Sequence, residues 1–172
     1  GQLSKNSSLT NDLQDVPDGH YEEDSMKSTI VPNRNMILIS LAASWAISTK
    51  SDTISYAAHF GDHAIYPDCR SSFAKYLNKT LELCDWHKIS LYRPFINLTK
   101  TQICEIGKKL NVPFNKTWSC YKGEDLHCGI CGTCIERREA LYLANINDLT
   151  KYKKEAPSLK QMLVNNWKLN EL

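Results

Sequence analysis

A chain of 172 residues with a net charge of +2 can form one domain, or one domain with a small appendage, and bury a core without disulfides. Hydrophobic residues make up 42% of the chain and charged residues 23%, a globular balance that excludes disorder throughout. The longest apolar run, residues 36–47, contains two serines and is too short to cross a bilayer. No long run of Lys or Arg occurs, so we expect neither a membrane segment nor direct nucleic-acid binding.

The first half of the chain predicts two helices and one strand after a polar start. Residues 1–30 are rich in Ser, Asn and Asp and are expected to form a lead-in loop. Residues 36–49 are apolar almost all round, which predicts a helix buried on most faces. Residues 52–60 are expected to form a buried strand, and residues 70–84 a helix with apolar positions at every third or fourth place.

The second half adds another strand and three helices. Residues 88–92 alternate and predict a strand that ends before Pro94. Thr99 and Gln102 have the spacing of a capping box and predict a helix that continues to Leu110. Helices are also expected over residues 134–143 and 158–169. This alternation predicts an α/β domain with a mainly parallel sheet, and since two strands are too few for a stable open sheet, further strands must come from elsewhere.

Four of the seven cysteines lie close together with the spacing C-x7-C-x2-C-x2-C; they are Cys120, Cys128, Cys131 and Cys134. A C-x2-C turn brings two thiolates to one tetrahedral ion, and Gly129 and Gly132 lie within these turns. The first residues are polar and lack the apolar core of a signal peptide, so we expect a cytoplasmic protein, in which disulfides are rare. We therefore predict Zn²⁺ in a closed structural site, with an iron–sulfur cluster or two disulfides as alternatives.

The remaining cysteines and the charges near the cluster have simpler interpretations. Cys69, Cys84 and Cys104 are expected to be small buried apolar residues, as free cysteines often are. Four thiolates on Zn²⁺ carry a net charge of −2, and basic residues close in sequence could offset it; these are Lys122, Arg137 and Arg138. Trp118 and Tyr121 are expected to pack against the cluster.

Three stretches in the right order identify a family. They are VPNRN (31–35), YPDCR (66–70) and TWSCY (117–121), the last followed by three more cysteines. Together they resemble the 7-cyano-7-deazaguanine synthase family over residues 8–144. The resemblance implies a Rossmann-like adenine nucleotide alpha hydrolase fold of the PP-loop type, with a four-cysteine zinc knuckle. It also implies an ATP-dependent ligase, using Mg²⁺, that converts 7-carboxy-7-deazaguanine and ammonia to the nitrile.

One motif of that family is absent from the sequence. The phosphate-binding loop SGGxDS does not occur, and no two glycines are adjacent. Without this anion-binding loop, pyrophosphate has no obvious site. We interpret the chain as the C-terminal portion of a fold that is incomplete at its N-terminus. We expect either a homo-oligomer or a partner segment that carries SGGxDS, and the chain alone is expected to be inactive; lost catalysis is the remaining alternative.

The resemblance suggests substrate contacts in YPDCR. Asp68 could accept two hydrogen bonds from a guanine-like edge, or could instead cap the helix that follows. Tyr66 could stack on the heterocycle and Arg70 could pair with a carboxylate or phosphate, against the plainer roles of a core tyrosine and a solvated arginine. Arg34 and Asn35 could contact the nucleotide or cap the helix after them. No catalytic residue is assigned, and the i, i+4 pair His59 and His63 is not interpreted as a metal site.

These predictions divide the chain into four parts: residues 1–30 as lead-in, 31–116 as the C-terminal part of the nucleotide domain, 117–150 as the zinc knuckle with its helix, and 151–172 as a helical extension. Two other functions remain open. One is a non-catalytic, zinc-stabilised binding module. The other is a related ATP-pyrophosphatase that acts on another carboxylate or on tRNA.

Overall fold

The computed structural model describes residues 5–123 and 125–169, and these residues form two compact units. The first, which we call the sheet unit, is Pro32–Thr99. The second, the cysteine unit, contains the described residues of 1–31 and 100–172. No described helix combines the length and the apolar character that spanning a membrane requires.

The sheet unit is built on two parallel strands and two helices. Strand β1 (Thr53–Ser55) pairs with β2 (Ser90–Tyr92), with Ile54 opposite Leu91. Helices α1 (Arg34–Ser48) and α2 (Ser71–Leu81) supply the apolar residues that cover the sheet. The buried core is Ile39, Ala43, Ala46, Leu77, Leu81, Ile89 and Leu91. The predicted α/β class and the parallel pairing are therefore confirmed.

Helix α1 lies where the sequence predicts a helix, but the prediction that it is buried on most faces was wrong. One face of α1 is buried, but Leu38, Leu41 and Trp45 are 55%, 65% and 74% exposed. The reason is the size of the sheet unit, since a helix packed on one side of a two-stranded sheet can bury only one stripe.

The first predicted strand is shorter than its apolar pattern suggested. β1 ends at Ser55, and Phe60, the last residue of the predicted strand, instead begins a 3-10 helix (Phe60–His63). The pairing ends because the partner strand stops at Tyr92, just before Pro94, which has no N–H to offer a ladder. The last bond of the ladder is donated by the N–H of Tyr56 to the carbonyl of Tyr92, at 2.8 Å.

The cysteine unit is helical. Helices α3 (Lys100–Lys109) and α4 (Gly132–Leu143) pack around a core that contains Cys104 and Leu141, and α5 (Leu159–Val164) packs on α4 through the fully buried Met162. Ser158 caps α5 with the reciprocal capping box of Ser158 and Gln161. α5 ends five residues before the predicted end at 169, and Asn166 and Trp167 then adopt positive φ angles of 47° and 64°.

Part of the polar lead-in is packed within the cysteine unit. Asp24–Thr29 form a 3-10 helix in which Met26 and Thr29 are 2% and 0% exposed. The N–H of Gly19 donates to the carbonyl of Ile130 at 3.0 Å, and Asp18 forms an isolated bridge with Cys131. The lead-in thus contributes directly to the surroundings of the cysteine cluster.

Candidate metal centre and candidate binding residues

The four cysteines predicted to bind metal meet in the cysteine unit. All four are buried, and their Sγ atoms all lie within 4.8 Å of one another. The Sγ atoms of Cys128 and Cys134 are 3.9 Å apart. A tetrahedral ion with Zn–S bonds of about 2.3 Å would hold its sulfurs at about 3.8 Å, whereas a disulfide needs about 2.0 Å. The spacing fits one shared metal ion and excludes a disulfide between these two residues.

A tight turn from Cys128 to Cys131 and the first turn of α4 bring three of these cysteines together. Cys131 is the N-cap of α4, which places Cys134 in its first turns. Backbone N–H groups point at sulfur: Ile130 and Cys131 both donate to Cys128 Sγ, at 3.5 and 3.3 Å. Cys128 itself donates to Cys120 Sγ at 3.4 Å. Such bonds favour the thiolate form that a metal requires.

Hydrogen bonds between the sulfurs shift the pKa values of three of the four clustered thiols. Hydrogen bonds from the thiols of Cys128 and Cys134 lower the pKa of Cys131, so this sulfur is the preferred thiolate. Its hydrogen bond with Cys131 raises the pKa of Cys128 to about 11, and hydrogen bonds with Cys128 and Cys131 raise the pKa of Cys134. A divalent cation bound by the four sulfurs would take the place of the thiol protons.

Two of the basic residues near the cluster, Arg137 and Lys122, are held by specific polar contacts. Arg137 is 8% exposed and donates to the carbonyl of Phe114 at 2.6 Å and to Thr117 Oγ1 at 2.8 Å. It also donates to Thr150 Oγ1 at 3.1 Å, so one guanidinium connects α4 to the segments before and after it. Lys122 Nζ pairs with Asp18 Oδ1 at 2.7 Å.

A cavity that the sequence did not predict lies beside the cluster. Its volume is about 350 Å³, and aromatic and apolar side chains line it together with the ion pair of Lys100 and Glu136, whose Nζ and Oε2 lie 3.4 Å apart. Trp118 lies at this cavity with its side chain half exposed, as well as stacking on His127 with 4.1 Å between ring centroids. The expected packing of Trp118 is therefore found, but it is only part of the residue's environment.

In the sheet unit, the VPNRN and YPDCR stretches meet through Asp68 and Asn35. Asp68 Oδ2 accepts a hydrogen bond from the backbone N–H of Asn35 at 3.3 Å, and the side-chain amide of Asn35 lies 3.6 Å from Cys69 Sγ. Asp68 therefore caps α1, while α2, which the sequence suggested as the alternative, receives no side-chain cap. The carbonyl of Asp68 accepts the hydroxyl of Tyr56.

The other candidate residues surround this contact to different degrees. Tyr66 is half-buried and packs against Ala58, Cys69, Ala74 and Ile96. Arg70 is exposed, and its Nε donates to the carbonyl of His63 at 3.0 Å. Arg34 is half-buried, and its charge acts on the Cys69 thiol.

The three cysteines outside the cluster do not share one environment. Cys69 and Cys104 are buried as expected, whereas Cys84 is exposed. The prediction for Cys84 was wrong because α2 ends at Leu81, which leaves Cys84 in the loop beyond the core.

Comparison with known proteins gives one consistent result. The family model described as "Queuosine biosynthesis protein QueC" matches residues 2–145. The "7-cyano-7-deazaguanine synthase" of Pseudoalteromonas translucida is 48% identical over 151 residues, which cover 88% of this chain and 69% of that protein. The protein of the same name from Methanoregula boonei is 51% identical over 146 residues, 85% of this chain and 67% of that protein. That of Caldicellulosiruptor saccharolyticus is 48% identical, covering 87% and 66%.

Proposed function

The chain belongs to the family of the queuosine biosynthesis protein QueC, and we propose that it acts in the ATP-dependent conversion of 7-carboxy-7-deazaguanine and ammonia to 7-cyano-7-deazaguanine. The observation that carries this function is the match over residues 2–145, which includes the three motifs and all four clustered cysteines. The chain spans about two thirds of the length of these relatives, for example 69% of one and 66% of another.

The reaction needs two activations of the same carbon. ATP first transfers AMP to the carboxylate and releases pyrophosphate; ammonia then attacks the carbonyl carbon and displaces AMP, giving an amide and a proton. A second ATP transfers AMP to the amide oxygen and again releases pyrophosphate, and loss of AMP with the two remaining nitrogen protons leaves the nitrile. Because adenylate is a good leaving group, we attribute most of the acceleration to positioning and to charge neutralisation. Mg²⁺ is proposed to accompany ATP.

We assign the guanine-like edge of the substrate to Asp68, with Tyr66 and Arg70 beside it. A carboxylate has about four acceptor sites, and the N–H of Asn35 occupies one of them, so capping α1 leaves Asp68 able to accept from a ligand. Tyr66 would contact the ring, and Arg70, being exposed, could pair with an anionic group. Arg34 and Asn35 are proposed to contact the nucleotide from the first turn of α1.

Zinc is the metal we propose for the four-cysteine cluster. Four thiolates complete its tetrahedral shell, so its contribution is structural: it holds the Cys120 loop and the start of α4 together. The geometry that supports this is the mutual distance of the sulfurs, and no step of the reaction is assigned to the ion.

The phosphate-binding loop SGGxDS is proposed to come from a segment outside these residues, in the same protein or in a partner chain. Two observations support this: the described sheet has two strands, and the exposed face of α1 carries Leu38, Leu41 and Trp45. On this proposal the 172-residue chain by itself produces no nitrile.

The test is direct. The natural protein that contains this chain is incubated with ATP, Mg²⁺, ammonium and 7-carboxy-7-deazaguanine, and mass spectrometry follows the nitrile and AMP; we expect two AMP for each nitrile. The Asp68→Asn variant should lose affinity for the deazaguanine, whereas Cys84→Ser, which changes an exposed thiol away from the motifs, is the matched control. Tight metal binding with no nitrile would contradict the ligase and favour a non-catalytic binding module.

A further inference from the structure

Residues 151–157, which we call the C-terminal strap, lie along the segment that carries Cys128. The N–H of His127 donates to the carbonyl of Lys151 at 3.3 Å, and the N–H of Lys153 donates to the carbonyl of His127 at 2.9 Å. His127 and Tyr152 form an isolated parallel bridge. The strap therefore holds both backbone polar groups of the residue that precedes a proposed metal ligand.

Arg138 of α4 connects the strap to the turn between Cys128 and Cys131. It is 7% exposed, and its two terminal nitrogens donate to the carbonyl of Gly129 at 3.3 Å and to that of Pro157 at 2.7 Å. Its guanidinium also lies over the ring of Tyr152, 4.9 Å from the centroid. A planar, forked cation is suited to such a double contact, which a lysine cannot make in the same way.

The strap also packs directly on the turn. Gly129 has a positive φ of 79°, and a Cβ placed on it would lie 2.5 Å from the Cβ of Ala156, closer than two carbon atoms can approach. The turn and the strap are therefore in contact at a position where only glycine leaves room.

Both ends of the strap are fixed. At its start, the hydroxyl of Tyr152 donates to Oδ2 of Asp148, which precedes the strap, at 2.6 Å. After its end, α5 is anchored by Met162, which is 0% exposed and packs on Ile135 of α4. Within it, the N–H of Ala156 donates to the carbonyl of Lys153 at 3.1 Å and closes a turn. An ordered segment with two fixed ends restrains the turn beneath it.

We propose that the C-terminal strap positions Cys128 and thereby sets the rate at which the metal leaves the four-cysteine site. This inference rests on the proposed metal. A thiolate leaves the ion only if its backbone turns away, and here the strap holds the carbonyl of Gly129 and both polar groups of His127 against that motion. Contacts beyond the ligands commonly determine how firmly a site holds its metal.

The test compares three single substitutions in the metal-loaded chain. Lys153→Pro removes the N–H that donates to His127. Lys153→Ala keeps this N–H and removes only the side chain. Lys154→Pro places proline at the second position of the 153–156 turn, where proline is favoured, and keeps the same N–H. With zinc bound and a coloured chelator in excess, Lys153→Pro should release zinc about tenfold faster than Lys153→Ala, while Lys154→Pro matches the unchanged chain.

Two further measurements separate positioning from general stability. Hydrogen exchange should show Lys153→Pro opening residues 151–157 while α3 and α4 keep their protection, and the cobalt-loaded protein should show altered ligand-field bands. An opened strap with an unchanged rate of zinc release would overturn the proposal. If Lys153→Pro does not fold, Ala156→Leu should displace the strap because its side chain is larger, with Ala156→Ser as its control. Faster zinc release from Ala156→Leu would then support the proposal, and an opened strap with an unchanged rate of release would overturn it. An unchanged chain that retains no metal would contradict the proposed zinc site itself.

Discussion

At the residue scale, Asp68 connects the YPDCR segment to α1 through its side chain and to Tyr56 through its backbone. Its carboxylate satisfies an N–H in the first turn of α1, its carbonyl accepts the hydroxyl of Tyr56, and its neighbour Cys69 receives the side-chain amide of Asn35. The first four N–H groups of any helix lack partners within the helix, and α1 has no side-chain cap at its own N-cap residue, Asn33. Asp68 therefore has a structural role beside the recognition role that we propose.

Two substitutions at Asp68 separate these roles. Asp68→Ala removes the cap and should lower the free energy of unfolding by about 1 kcal/mol, or the melting temperature by about 2–4 °C. Asp68→Asn keeps an oxygen that accepts from the N–H of Asn35, so its melting temperature should stay near that of the unchanged chain. Calorimetric titration with 7-carboxy-7-deazaguanine should show weakened binding for both. Equal binding by Asp68→Asn would contradict the recognition role and leave only the cap.

Cys69 provides a second prediction, which depends on pH. Burial raises the pKa of the Cys69 thiol from 9.0 to about 11, whereas Cys84 is exposed. At pH below 9.0, iodoacetamide should therefore alkylate Cys84 and spare Cys69, as peptide mass spectrometry can measure. Because the folded pKa is raised, the neutral thiol stabilises the fold fully below pH 9.0, and this contribution is lost as the pH rises through about 11. Early labelling of Cys69 would show that the YPDCR segment opens easily.

At the scale of elements, α4 organises the cysteine unit. It begins at the four-cysteine cluster, and three consecutive charged residues on it are buried: Glu136, Arg137 and Arg138. Buried charges are costly unless they are paired, and each of these has a partner: Lys100 for Glu136, loop carbonyls and hydroxyls for Arg137, and the strap for Arg138. These polar contacts join α4 to α3, to the segment before α4 and to the strap.

The contact between α3 and the 3-10 helix Phe114–Lys116 gives an element-scale prediction. A Cβ on Gly107 would lie 2.7 Å from Cζ of Phe114. Replacing glycine by alanine inside a helix usually stabilises it by about 1 kcal/mol, but here the clash should dominate, and Gly107→Ala should destabilise by about 1–3 kcal/mol. Urea unfolding measures this change. The double variant with Phe114→Leu should recover part of the loss; no recovery would show that the ring is not the obstacle.

At the scale of the whole molecule, the two units differ in what holds them together. The sheet unit has an apolar core of seven buried residues, whereas the buried clusters of the cysteine unit are smaller, and one of them consists of the four cysteines. A bound metal supplies folding energy where apolar burial is limited, because the unfolded chain has no comparable site. The stability of the cysteine unit should therefore depend on the metal more than that of the sheet unit.

Removal of the metal tests this difference. A strong chelator should cause loss of hydrogen-exchange protection first in the described residues of 5–31 and 100–169, while residues 32–99 remain protected longer. The melting temperature should fall at the same time, and added zinc should restore both properties. An unchanged melting temperature after complete removal of the metal would contradict a structural role for the ion.

Local patterns were sufficient to predict a large part of this fold. The helices α1, α2, α3 and α4 lie within two or three residues of their predicted limits, because apolar periodicity reflects which side of a helix is covered. The cysteine cluster could also be predicted from local sequence. Three of its four residues lie within seven positions, and tight turns bring them together without distant contacts. The motifs VPNRN and YPDCR identified the family before any geometry was known.

Other properties depend on contacts between residues far apart in sequence, and only the tertiary structure decided them. Asp68 caps α1 across 33 positions, and Arg138 reaches Pro157 across 19. No pattern in residues 151–157 predicted a strap, because its hydrogen bonds to His127 and Arg138 are made by backbone groups, which every sequence carries. The exposed face of α1 also could not be predicted from the sequence. Composition shows that a helix is apolar, but only its neighbours determine which side of it is buried.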